Sequence, residues 1–409
     1  MKTMKFNTTV ERRRNGFATH AQPLAPEQIF AALDLCVGKT RSNIQRLADR
    51  PEASTWSWHK AGKYWEWNEG FFAIGNWTTS FITGMGLLAF KRTQDDYFLK
   101  QVERLAPIYR LKVYEHDMDT MHDLGFLYSL YSVALHRLTG NPAHRDTALR
   151  AAEVLAARYI PSGRFIRAWG RMDSPGVRTK DDGIIPTADL AIIDCMMNLP
   201  LLFWAAAETH DDKFRKIAIA HADTTLANFI RPDDSLFHAF RFDLATGQPK
   251  GGENYCGYAV PSHWARGTAW AIYGFALCFR YTRDQRYLDA SLRLARKFII
   301  SLDDHGVPVW DFKLTLGEAP LRDSSAAAIA VCGFQELQRN GVTDKTIVEA
   351  KQMLLARLCS ADYLNTDEAC AGLLRDGQVG RAQNTYTSWG DYFLMEALAV
   401  ERGMGSTFW

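Results

Sequence analysis

The sequence predicts an all-α chain folded as a six-hairpin α/α barrel (an α/α toroid) in a single domain. Three observations carry this prediction. Helical periodicity runs through nearly all of the 409 residues, and no convincing set of alternating strands interrupts it. The helical segments are of two kinds that alternate along the chain. Long polar and aromatic connections lie on one side of each helix pair and short ones on the other.

In order, the expected helical segments are 25–50, 77–93, 95–114, 122–139, 143–160, 189–210, 211–230, 263–283, 285–303, 323–339, 343–360 and 387–402. Breakers such as Gly140-Asn141-Pro142, Pro161-Ser162-Gly163, Arg231-Pro232-Asp233 and Gly306-Val307-Pro308 separate them. The segments starting near 77, 122, 189, 263, 323 and 387 are rich in Gly, Ala, Ser and aromatics, as in WTTSFITGMGLLAF and DSSAAAIAVCGFQEL. Small residues let helices approach closely, which suits an inner ring. The intervening segments, such as QRYLDASLRLARKFI, carry charge on one face and suit an outer ring. Inner starts recur at uneven intervals, which argues against a solenoid. Residues 1–24 are expected to be an N-terminal extension and 25–409 the barrel. The long connections would place polar residues at inner-helix starts around one mouth.

Composition narrows the function. Lys and Arg number 48 against 46 Asp and Glu, a net charge of +2, so no nucleic-acid partner is expected. No apolar run approaches the ~18 residues of a membrane span, so no membrane partner is expected either. The N-terminus MKTMKFNTTVERRRNGF lacks an apolar run of leader length, and the expected location is cytoplasmic. The seven cysteines are irregularly spaced without a CxxC, which points to reduced thiols and away from a zinc cluster. The 12 Trp are roughly twice the usual complement and raise the prospect of sugar stacking.

The candidate chemistry sits at inner-helix starts. Asp123, in MHDLGFLYSLY, has a simple alternative role as a helix cap. His116, Asp117, Asp119 and His122 just before it match no metal-site spacing, so no metal is expected. Asp194 lies among Ile192, Ile193, Cys195, Met196 and Met197, which reads as a mid-helix carboxyl in an apolar run. A buried carboxyl beside a second carboxylate holds its proton to higher pH and can serve as a general acid. Its alternative is a structural bond to backbone or to Asn198. Paired carboxylates are the usual requirement of glycoside cleavage. Around them lie Trp77, Trp169, His238, Trp264, Arg266, Trp270, Trp310 and Trp389. Arg266 and Trp270 are i and i+4 on one helix face, and a guanidinium beside an indole suits a sugar acid. Packing is the competing reading for each Trp, and a satisfied core histidine for His238.

These strings resemble the unsaturated glucuronyl hydrolase family. WTTSFITGMG, MHDLGF, FIRAW, AIIDCMMNLPLL, FHAFRFDLATGQP, WARGTAWAIYGFA, VWDF, DSSAAAIAV and TSWGDYFLMEAL run in order from about 77 to 400. The resemblance implies the same barrel and removal of a 4,5-unsaturated uronic acid from the non-reducing end of lyase-generated oligosaccharides. It implies Asp194 as acid/base and Asp123 as the second essential aspartate. Trp77, Trp169, His238, Arg266 and Trp270 would bind sugar, with His122 and Cys256 joining that set. No cofactor is implied. Two departures stand out: Cys256 replaces the family's frequent Gln before GYA, and the Ser- and Lys-containing segment linked to sulfated substrates is not recognisable in LLRDGQVGRAQNTYTSWGDY. The loop from Gly170 to Ala188, with Arg171, Arg178, Lys180, Asp181 and Asp182, lines the aglycone side or is plain surface. Alternatives are an unsaturated rhamnogalacturonyl hydrolase, a sugar 2-epimerase relying on paired His, and a non-catalytic sugar-binding barrel.

Overall fold

The computed structural model describes residues 22–48, 56–60, 63–66, 70–178, 183–259, 262–314, 321–379, 382–405 and 407–409. The expected N-terminal extension falls almost wholly outside these residues, as do Lys180, Asp181 and Asp182 of the 170–188 loop.

Among the described residues the helices are α1 (Pro26–Ala48), α2 (Thr79–Thr93), α3 (Asp96–Glu103), α4 (Ala106–Tyr114), α5 (Leu124–Tyr128), α6 (Ala134–Thr139), α7 (Pro142–Ala156), α8 (Leu199–Thr209), α9 (Asp212–Asn228), α10 (Ala265–Thr282), α11 (Gln285–Ser301), α12 (Ser324–Arg339), α13 (Lys345–Leu358) and α14 (Ser388–Glu401). A π-turn over Ser129–Val133 joins α5 to α6 as one rod. The inner helices α2, α5–α6, α8, α10, α12 and α14 each pack on the next, and α14 returns to α2. That closes the ring. The outer helices α1, α3–α4, α7, α9, α11 and α13 lie against its outside. The six-hairpin α/α barrel is therefore the observed fold.

Burial separates the two layers. Inner α12 buries fourteen of its sixteen residues, so it needs apolar or small side chains all round. Outer α11 buries seven of seventeen, on one stripe that includes Tyr287, Ala290, Leu294 and Phe298. Close approach explains the small residues: a Cβ on Gly274 of α10 would stand 2.6 Å from the Met196 Cβ.

The far end of the barrel repeats one turn four times. Thr93, Thr139, Thr209 and Thr282 each end an inner helix, with the hydroxyl donating to the carbonyl four residues back at 2.7–2.8 Å. The next residue, Gln94, Gly140, His210 or Arg283, takes a left-handed conformation. The third, Asp95, Asn141, Asp211 or Asp284, caps the following outer helix by accepting a backbone N–H. Its own N–H donates back to the Thr hydroxyl at 3.2 Å.

Two expectations change. The chain does contain strands, short and confined to the connections that lead into inner helices. Gly377–Val379, Ala382–Thr387, Trp56–Lys60 and Lys63–Glu66 form one antiparallel sheet in that order. Leu190–Ile192, Ala239–Phe242 and Pro249–Glu253 form another. Strands this short carry too few residues for a visible period of two. The expected helix over 189–210 begins only at Leu199, because Pro200 fits the first turn of a helix but not its interior. The residues before it are the strand Leu190–Ile192 and a 3₁₀ turn, Ile193–Met197. The segment 95–114 likewise breaks before Pro107, in the first turn of α4. No helix among the described residues is long and apolar enough to cross a membrane.

Candidate active site

Asp194 is not a mid-helix residue; it sits in the 3₁₀ turn just after the strand Leu190–Ile192. That strand pairs with Ala239–Phe242, bringing Ile192 opposite Ala239, and the Ile193 N–H donates to the His238 carbonyl at 2.9 Å. The pairing places Asp194 beside His238. The two side chains meet with the His238 Nε2 3.6 Å from the Asp194 Oδ2, which accepts no hydrogen bond. The Asp194 side chain is 17% exposed while that of His238 is 1% exposed.

The Tyr255 N–H donates to the His238 Nδ1 at 3.1 Å. That bond needs a lone pair, so the ring proton sits on Nε2, facing Asp194. Burial opposes charging of this ring while neighbouring Cys256 and Asp194 favour it; with Nδ1 accepting the Tyr255 N–H, the ring is neutral and carries its one proton on Nε2. In this geometry the His238 Nε2–H faces the Asp194 carboxylate without bonding to it. Cys256 is half-buried next to it.

Asp123 precedes α5 but makes no capping bond from its side chain. The capping alternative therefore does not hold. Its Oδ1 lies 3.2 Å from the His122 Nε2 and accepts from the Asn198 Nδ2 at 3.4 Å. The His122 Nδ1 accepts the Trp169 N–H at 3.3 Å, which again leaves the ring proton on Nε2. Burial and nearby Arg158 hold His122 well below the ordinary histidine range, so it stays neutral. Burial first, and then the Asp194 charge, holds Asp123 well above the ordinary carboxylate range; Asn198 and Arg158 pull it down. The two aspartates thus form a pair that resists double ionisation.

Asn198 ties the pair together. Its Oδ1 accepts the Phe126 N–H at 2.8 Å, and its Nδ2 donates to the Asp123 carboxylate and, at 3.3 Å, to the Asp194 carbonyl. The approach requires a glycine, since a Cβ on Gly125 would stand 2.3 Å from the Asn198 Cα.

Aromatic rings flank the pair. Trp169 meets Tyr255 edge-on at 5.2 Å and His238 at 5.9 Å, while Trp264 meets His238 edge-on at 5.0 Å. Trp77 lies 4.8 Å from Trp389. The Arg266 guanidinium lies over Trp264 and Trp389, at 4.8 and 5.4 Å, and not beside Trp270. It reaches instead to the buried Asp323, at 2.6 Å, and to the Gln378 carbonyl, at 2.8 Å. Trp270 lies one turn further in, fully buried against Phe126 and Phe393. It offers no open face in this arrangement. Trp310 is also buried.

The other expected groups disperse. His116 packs on Phe72, Asp117 pairs with Arg150 and Asp119 with Arg171. Among the described residues no group of three His, Cys, Asp or Glu is arranged to hold a metal. Arg171 of the 170–188 loop is bound to Asp119 and Asp173. Asp323 had a sequence signal as the cap of α12, which it is, but its bond to Arg266 had none. Arg158 and Tyr255 had no sequence signal.

The family model described as Glycosyl Hydrolase Family 88 matches residues 41–402. The chain is 33% identical over 383 residues to an unsaturated glucuronyl hydrolase of Bacillus sp. (strain GL1), covering 91% of this chain and 97% of that one. It is 35% identical over 386 residues to an unsaturated chondroitin disaccharide hydrolase of Streptococcus pyogenes serotype M1, covering 92% and 91%. The crystal structure of an unsaturated glucuronyl hydrolase from Streptococcus agalactiae superposes with a TM-score of 0.86 at 29% identity, over 99% of this chain and 100% of that one.

Proposed function

The chain belongs to glycosyl hydrolase family 88 and is a glycosidase, and we propose that it removes a 4,5-unsaturated glucuronic acid from the non-reducing end of lyase-generated oligosaccharides, with Asp194 as acid and base. The observation that carries the assignment is the Asp194 carboxyl, open on one oxygen, faced by the His238 ring and beside Asp123.

The reaction is hydration of an enol ether. In its protonated form Asp194 delivers a proton to C4 of the double bond. Positive character develops at C5 and is shared with the ring oxygen. The Asp194 carboxylate then takes a proton from a water that adds at C5. The resulting hemiketal opens to a ketone at C5. C1, now a hemiacetal, releases the aglycone as an alcohol. One carboxyl therefore serves twice, and the spacing rule for direct displacement at C1 does not govern this site. Asp123 holds sugar hydroxyls beside the carboxyl that transfers the proton.

Recognition of the sugar acid falls to donors. Asp323 already balances the charge of Arg266, so Arg266 offers N–H groups more than net charge. The Trp264 indole N–H and the Gln378 side-chain amide are buried near it without partners. Trp77 and Trp169, each half-buried, are the rings left to stack on sugar.

Ultraviolet absorbance of the unsaturated uronate, followed on lyase-generated chondroitin, hyaluronan, heparin and pectic oligosaccharides, tests the reading. Loss of absorbance with release of the aglycone is expected on at least one glucuronate-ended substrate. No loss on any would overturn it.

A further inference from the structure

We propose that Arg158 is a positioning residue of this site, clamping Trp169 in its left-handed backbone conformation and placing an uncompensated positive charge behind Asp123. The inference rests on the function proposed above.

Arg158 follows α7 and is 2% exposed. Its guanidinium makes five hydrogen bonds, every one to a backbone carbonyl: Nε to Arg167, Nη1 to Thr120, and Nη2 to Ala168, Trp169 and Gly170. Among the described residues no carboxylate lies within ion-pair distance of it, in contrast to Arg266 with Asp323. A buried cation without a carboxylate is costly. Burial pulls it down to about 10, which still leaves it charged at neutral pH.

The bonds converge on two functional groups. Trp169 has φ +38°, a conformation that costs a non-glycine residue about 1–2 kcal/mol and needs outside support. Arg158 grips the Trp169 carbonyl and both neighbouring carbonyls, while His122 holds its N–H. The bond to Thr120 ties the same guanidinium to the segment that carries Asp123. The groups that face Asp123 are Asp194 and Cys195 from the 3₁₀ turn, the neutral His122, Asn198 and Arg158, and Lys112 lines the same small cavity with its ammonium held by the Phe71 and Ala73 carbonyls. Removing Arg158 leaves the Asn198 hydrogen bond alone to oppose burial and Asp194.

Two substitutions separate the roles. R158K keeps the charge and loses the fork; R158Q keeps two donors and loses the charge. Carbon-13 NMR of labelled aspartate carboxyls follows Asp123 without substrate, with Asp123→Asn giving the assignment. We expect its titration to move up by about one pH unit in R158Q and to stay in place in R158K. On the substrate found above, R158K should raise KM about tenfold with its pH profile unmoved, whereas R158Q should shift both limbs of the profile to higher pH. An unmoved Asp123 titration in folded R158Q overturns the proposal, even if no substrate is turned over. If R158Q does not fold, R158K decides: an unchanged KM and an unchanged Trp169 environment in near-ultraviolet circular dichroism overturn the clamp.

Discussion

At the far end of the barrel, four turns of the form Thr-x-Asx satisfy their backbone and side-chain groups locally, with partners within four residues of the Thr. A little deeper, the buried Glu396 accepts from the Tyr273 hydroxyl at 2.8 Å, the Tyr392 hydroxyl at 2.5 Å and the Trp409 indole at 2.9 Å. At the mouth, Asp194 keeps one carboxylate oxygen without a partner, and His238, His122 and Trp264 each keep an unpartnered ring nitrogen. Both regions hold buried carboxyls, and burial raises Glu396 and Asp123 alike. What differs is satisfaction. A carboxylate with three donors is fixed in place and serves structure; one left open in a buried setting is available to a ligand.

The sharpest test of this contrast is Asp194→Asn. It should lower kcat by about four orders of magnitude, roughly 5 kcal/mol in the barrier, while thermal unfolding moves little. Asp123→Asn should cost less, about two to three orders, because it perturbs a partner and not the transferring group. A retained rate in Asp194→Asn would sink the acid/base assignment.

Glu396→Gln should do the reverse. The Trp409 indole can only donate, and a single amide oxygen cannot serve three donors. The expected cost is about 2–4 kcal/mol in denaturant unfolding, with kcat of the folded fraction unchanged. The sign of its pH dependence follows from the raised Glu396. Above its unfolded value of about 4.5 the unfolded chain ionises first, so this group weakens the native state as pH rises. Gln lacks that penalty, so the substitution should cost more near pH 4 than near pH 7. A large kcat effect would break the division between the two regions.

Trp169→Ala should raise KM about tenfold, some 1.4 kcal/mol, with little change in stability, because its ring is half-buried at the mouth. Trp270→Ala should instead cost about 3–5 kcal/mol of stability, since that ring is fully buried between Phe126 and Phe393. Equal KM effects without destabilisation would show that Trp270 reaches the sugar after all. The two indoles looked alike in the sequence; only burial separates them.

That difference marks what the sequence could carry. The barrel was legible because inner helices must be small or apolar on every side and outer ones on one stripe only. Asp194 stands out in the sequence as a carboxyl in an apolar run, whereas Asp123 reads first as a helix cap. The place of Asp194 before a helix, not inside one, follows from Pro200, which fits the first helical turn but not the interior. The Arg266–Trp270 pairing failed for a different reason. Spacing of i and i+4 places Cβ atoms on one face, but a long side chain follows its strongest partner, here Asp323 from another helix. Arg158 was invisible because its partners are carbonyls, which no residue type announces.

The repeated turn was also in the sequence, as Thr93-Gln94-Asp95, Thr139-Gly140-Asn141, Thr209-His210-Asp211 and Thr282-Arg283-Asp284. Uneven spacing hid it: the outer-to-inner connections carry the site and vary in length, while these four inner-to-outer turns are equal and only the one from α12 to α13 is longer. The middle residue is left-handed in all four, yet only one is Gly. Gln94→Gly, His210→Gly and Arg283→Gly should therefore each stabilise the fold by a few tenths to about 1 kcal/mol, and Gly140→Ala should cost about 1 kcal/mol. None should change kcat/KM. Gains at these three positions with activity constant would show that the far end can be tuned for stability independently of the mouth. A parallel loss of activity would mean that strain in these turns is transmitted along the inner helices to the aspartate pair.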